Sequence, residues 1–125
     1  MKHKNTNQTD LKSFEELKYQ VLKSVVNEDD ERLIFTLENG DTYMLYHEQD
    51  CCESVTIEDI CGDLSDLVGT VWQAEESSNE GEDSTYGDHE TWTFYKIATM
   101  KGYVTIRWYG SSNGYYSESV DWKAC

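Results

Sequence analysis

An α+β fold, mainly antiparallel β with one short N-terminal helix, is what this sequence predicts, and three observations carry the prediction. Apolar and polar residues alternate with a period of two from Glu31 to Leu37, from Thr42 to His47, and again through the last third of the chain. Asn39-Gly40, a strong hairpin signal, interrupts the first two of these runs. Only Phe14, Leu17, Val21 and Leu22 follow a helical spacing.

With 125 residues the chain has room for one domain around one hydrophobic core. Residues 1–10 are polar and aperiodic, which predicts a disordered tail ahead of a single domain at 11–125. The helix is expected from Ser13, with Glu15 and Glu16 in its first turn and Ser13-Phe14-Glu15-Glu16 as a capping box. The hairpin follows. Ser54-Val55-Thr56-Ile57 reads as a short strand, Gly62 to Gly69 as a helical turn with Asp63 as N-cap, and Val71-Trp72-Gln73-Ala74 as the start of another strand. Residues 75–90 hold seven carboxylates and no lysine or arginine, which predicts a mobile acidic loop. Thr91 to Ile97, Tyr103 to Tyr109 and Tyr115 to Trp122 then form a closing three-stranded meander, with Val104, Ile106 and Trp108 on one face of its middle strand and Tyr103, Thr105, Arg107 and Tyr109 on the other.

Charge narrows the function. The net charge is −15, and from Ser24 onward five basic residues face twenty-two acidic ones. That field repels phosphate backbones and anionic membranes and favours cationic partners or divalent metals, so direct nucleic-acid and membrane binding are not expected. No apolar run is long enough for a span or a signal peptide, which predicts a cytoplasmic protein with reduced cysteines.

The stretch Tyr46 to Leu64 gathers a histidine, three of the four cysteines and six carboxylates. Its string Tyr46-His47-Glu48-Gln49-Asp50-Cys51-Cys52-Glu53-Ser54-Val55, followed by Ile57-Glu58-Asp59-Ile60, by Gly62-Asp63-Leu64 and by Gly102 to Ser117 (GYVTIRWYGSSNGYYS), resembles a family of small uncharacterised bacteriophage and prophage proteins defined as a domain of unknown function. The resemblance spans roughly residues 14–122. It implies viral origin, action in the host cytoplasm and an accessory role, and it supplies no catalytic residues.

Three chemistries are open to these residues. His47, Asp50, Cys51, Cys52 and Glu53 are metal-ligand types, but adjacent cysteines in extended chain point to opposite faces and do not chelate one zinc ion. Oxygen ligation of Ca²⁺ or Mg²⁺ by Glu48, Asp50, Glu53, Glu58 or Asp59 is the alternative, so no cofactor is assigned and a divalent metal stays open. Cys51 or Cys52 activated by His47 would be a nucleophile, yet the surrounding carboxylates raise a thiol's pKa. Binding without turnover fits best. Arg107 shares a strand face with Tyr103 and Tyr109, and a guanidinium beside aromatic rings can hold a nucleotide by stacking and phosphate pairing. In a chain this acidic, Arg107 either pairs with the carboxylates near Cys52 or meets an anionic ligand.

The expected ligand-binding residues are therefore Tyr46, His47, Asp50, Glu53, Arg107, Tyr109, Tyr115 and Tyr116, with none catalytic. The function they suggest is an anti-defence protein that sequesters a nucleotide-type immune signal of the host. An acidic mimic of DNA that occupies a host defence protein is the second reading, and a metal-dependent enzyme the third. Homo-oligomerisation is compatible with all three.

Overall fold

The computed structural model describes residues 10–47, 53–80, 89–112 and 120–125. Among the described residues, nine strands form two antiparallel sheets. The first sheet has the order β5-β1-β2-β3-β9, from Gly69–Thr70, Val21–Glu28, Arg32–Leu37, Thr42–Tyr46 and Asp121–Ala124. The second has the order β4-β8-β7-β6, from Glu53–Cys61, Gly102–Ser112, His89–Thr99 and Gln73–Glu80. One buried cluster joins their inner faces: Leu33, Phe35 and Leu45 from the first sheet meet Tyr95, Ile106 and Trp108 from the second. Burial at alternate positions of β2, β3 and β8 follows from the period-two pattern.

The helix expected from Ser13 is absent. Phe14–Leu17 is a single 3-10 turn, and Val21 and Leu22 already belong to β1. Tyr19 takes a left-handed φ of 73°, and its N–H donates to the Val71 carbonyl at 2.7 Å, which ends the turn. The expected helical spacing runs across two elements: Phe14 and Leu17 are buried from the turn and Leu22 from β1, while Val21 is exposed. A register shift between Leu22 and Ser24 lets Leu22 and Val25, three residues apart, both face the core. Ser13 makes no side-chain cap, and Glu16 instead accepts the Lys12 N–H at 2.8 Å. Phe14 fills the seam between the sheets, edge-on to Phe35 at 5.9 Å, Tyr95 at 4.8 Å and Trp122 at 6.1 Å.

The hairpin at Asn39-Gly40 is present, with a different turn. Gly40 alone has positive φ, the Gly40 N–H donates to Leu37, and the Leu37 N–H donates to Asp41, so the loop has three residues and a glycine bulge. A turn with positive φ at both central positions lies one hairpin earlier, at Asp29-Asp30, with φ of 56° and 59° and the Glu31 N–H donating to the Glu28 carbonyl at 2.9 Å. Asn27 braces it by accepting the Asp30 N–H at 3.0 Å. The expected turn after Gly62 forms as Leu64–Leu67, capped by Asp63, whose carboxylate accepts from both Ser65 N–H and Oγ. Those bonds hold the Asp63 carboxyl below its usual range.

Two further expectations change. Residues 75–80 belong to β6, and residues 81–88 of the expected acidic loop lie outside the described residues. The strand forms because Ala74 is buried and the carboxylates of an edge strand can stay in solvent. The closing meander is not completed either: β9 pairs with β3 in the other sheet. Trp122 draws it there, stacked on Tyr43 at 5.1 Å and donating its indole N–H to the Leu11 carbonyl at 3.0 Å.

Candidate functional site

The outer face of the second sheet carries the densest set of functional groups among the described residues. Because β8 alternates, burying Val104, Ile106 and Trp108 turns Thr105, Arg107 and Tyr109 outward. The pairing extends them into rows across the sheet. Thr56, Tyr109, Trp92 and Asn79 form one row, and Asp59, Arg107, Phe94 and Ser77 the next. Trp92 and Tyr109 rings lie 5.3 Å apart, so Arg107 has an aromatic pair diagonally beside it and Phe94 directly opposite.

Two carboxylates brace this face. Glu58 is the extra residue of a bulge between Ile57 and Asp59, and its Oε1 lies 2.7 Å from Arg107 Nε. The Nε hydrogen is not aligned on that oxygen, so the contact is an ion pair without a formed hydrogen bond. The bulge has a simple origin in sequence. Ile57 and Ile60 are three residues apart and both pack against the core, which a regular strand cannot achieve. On the other side the Tyr109 hydroxyl donates to Glu90 Oε1 at 2.8 Å. That bond, burial next, holds the Tyr109 hydroxyl proton and raises its pKa.

Of the described residues expected in the site, Arg107 and Tyr109 share this face and Tyr46 lies apart from them. Tyr46 ends β3 on the outer face of the first sheet, between Arg32 and Asp121 in register, with Lys123 Nζ 4.7 Å from its ring centroid. It therefore lies on a different sheet and a different outer face from Arg107 and Tyr109. His47 follows β3 and is buried. Glu53 opens β4 opposite Ser112. Asp50, Tyr115 and Tyr116 lie outside the described residues, as do Glu48, Cys51 and Cys52. Glu58, expected only as a cation ligand, is instead the ion-pair partner of Arg107. Trp92, Phe94 and Glu90 lie outside the expected set, although the Trp92-Thr93-Phe94-Tyr95 alternation already sets Trp92 and Phe94 on one face.

For the other chemistries, no group of three or more metal-ligand side chains occurs among the described residues. Asp59 is engaged by Cys61, whose Sγ lies 3.2 Å from Oδ2, and this hydrogen bond raises the exposed thiol's pKa. A thiol so held is a poor nucleophile at neutral pH. No helix among the described residues is long and apolar enough to cross a membrane.

The model of a family described as a domain of unknown function, DUF7448, covers residues 12–122. No curated protein and no solved structure matches the chain.

Proposed function

Since the chain belongs to the DUF7448 family of unknown function, its own residues must carry the functional reading, and we propose that it is a binding protein that holds a nucleotide on the outer face of the second sheet without turning it over. The observation that supports this is Arg107 set among Phe94, Tyr109 and Trp92 on one open sheet face. Aromatic side chains on a sheet stack bases, and a guanidinium pairs with phosphate. Glu58 is the competitor built into this face: its carboxylate lies against Nε of the guanidinium, and a phosphate that pairs with Arg107 meets that charge. The resemblance to phage and prophage proteins supports a setting in the host cytoplasm, where sequestering a nucleotide-type immune signal would be an anti-defence activity.

Calorimetry with a panel of linear and cyclic nucleotides at low and high salt tests this. Arg107→Ala is expected to abolish binding, and Glu58→Gln to tighten it by about tenfold, because the competing carboxylate is gone. Binding that ignores both substitutions, or no binding of any nucleotide, overturns the reading. Acidic mimicry of DNA has its own supporting feature, the exposed Glu75 and Glu76 of β6 with Glu58 and Asp59 at the opposite edge. It predicts tight, salt-sensitive capture of a DNA-binding protein that survives Arg107→Ala.

A further inference from the structure

The sheets end in edges that differ in how well they resist a further strand. In the first sheet, β9 has four residues and carries Lys123, β5 has two, and β1 beyond β5 is bulged between Leu22 and Ser24 and carries Lys23. In the second, β4 is kinked by the bulge at Glu58. Shortness, bulges and edge lysines are the ordinary devices that stop strand addition. β6 has none of them. It runs for eight residues in unbroken register with β7, without proline or lysine, and Gln73 and Glu75 to Asn79 are exposed. The Phe14–Leu17 turn packs against it, yet among the described residues its backbone hydrogen bonds go to β7 alone.

We propose that β6 is a docking edge that takes an extended, lysine- or arginine-rich segment of a partner protein as an added strand. Half of the backbone N–H and C=O groups of β6 face away from β7, which is the template that strand addition uses. The charge selects the occupant. Glu75, opposite Lys96, and Glu76, opposite Tyr95, are exposed, Glu80 closes the strand opposite Thr91, and β6 itself has three acidic and no basic residues. A second copy of β6 would set carboxylate against carboxylate, whereas a cationic strand meets complementary charge along its length. This edge is separate from Arg107 and its aromatic neighbours, so the two proposals stand or fall independently.

The test uses the full chain and a capped peptide as long as β6 that alternates lysine and threonine. Amide hydrogen exchange is followed at residues 73–80. The expected result is slower exchange at alternate β6 amides, no effect from a glutamate-for-lysine peptide, and loss of protection with a peptide interrupted by proline. Glu75→Lys with Glu76→Lys, both on exposed positions, should weaken binding about tenfold. Equal binding of the lysine peptide and its proline-interrupted form would reduce the effect to nonspecific charge and overturn the proposal. Absence of protection would overturn it as well, and so would a dimer that pairs through β6 without peptide.

Discussion

Arg32 and Arg107 make nearly the same ion pair in different surroundings. Each holds a glutamate Oε1 2.7 Å from its Nε, and both pairs are roughly half exposed. Arg32 meets Glu28 directly across the β1-β2 ladder, in a row that continues through Tyr46 to Asp121. Arg107 meets Glu58 only because a bulge pushes that residue out of register, and its row neighbour is Phe94, with Trp92 and Tyr109 diagonally beside it. Both faces offer arginine and tyrosine, the pattern that suggested a binding site. The first is satisfied by regular cross-strand pairing, and its tyrosine already has Lys123 over the ring. The second spends a strand irregularity beside an open aromatic surface, and bulges concentrate where a side chain is being re-aimed.

The sharpest way to break this comparison is to remove each arginine. Arg107→Ala should abolish nucleotide binding in calorimetry. Arg32→Ala should leave it unchanged and cost about 0 to 1 kcal/mol of stability in urea unfolding, the usual worth of an exposed pair. Equal losses from both variants would mean that neither face is a site.

A smaller effect is expected from deleting Glu58. The remaining residues Ile57, Asp59, Ile60 and Cys61 already oppose Trp108, Arg107, Ile106 and Thr105, so the deletion leaves a regular ladder with every core residue still facing inward. Asp59, already the row neighbour of Arg107, then takes the place of Glu58 as its ion-pair partner in a regular ladder, as Glu28 is for Arg32. A carboxylate still competes for the guanidinium and the aim that the bulge gives is lost, unlike in Glu58→Gln, which keeps the bulge. The chain should fold with an unchanged circular dichroism spectrum while nucleotide affinity falls about tenfold. An affinity at or above wild type would show that the bulge serves the core alone.

The same two bulges decide how much of the molecule could be read in advance. Strands without irregularities, such as β2, β3 and β8, were legible because burial follows strict alternation, and so was the placement of Arg107 and Tyr109 on one face. At Leu22/Val25 and Ile57/Ile60 a spacing of three in a strand copies the helical period. The expected helix joined Phe14 and Leu17 of the turn to Val21 and Leu22 of β1 across the left-handed Tyr19, and the second spacing hid Glu58 as a partner of Arg107. The destination of β9 was not legible at all, since it depends on Trp122 finding Tyr43, Phe14 and Leu11, far away in sequence. For the site, the alternation of Trp92 and Phe94 was visible, but nothing in a single strand says that it will lie beside Arg107.

The smallest expected effect sharpens the comparison from the tyrosine side. Tyr109 differs from Tyr46 in donating its hydroxyl to a carboxylate, and that bond favours the protonated phenol in the folded state. A folded pKa above the unfolded value of about 10 means that this contribution is fully present below pH 10 and disappears as pH rises through the folded pKa. Spectrophotometric titration should therefore show Tyr109 ionising late alongside Tyr95, whose hydroxyl burial pushes up most strongly, and Glu90→Gln should return Tyr109 alone toward the ordinary value without altering the neutral-pH fold. Tyr109→Phe should lower the number of late-ionising tyrosines by one and leave the Tyr95 step, which Tyr95→Phe identifies, in place. The same number of late steps in Tyr109→Phe and in the unaltered chain would mean that the Tyr109–Glu90 bond does not hold that hydroxyl in solution, and with it would go the brace that fixes the Tyr109 ring against Trp92 beside Arg107.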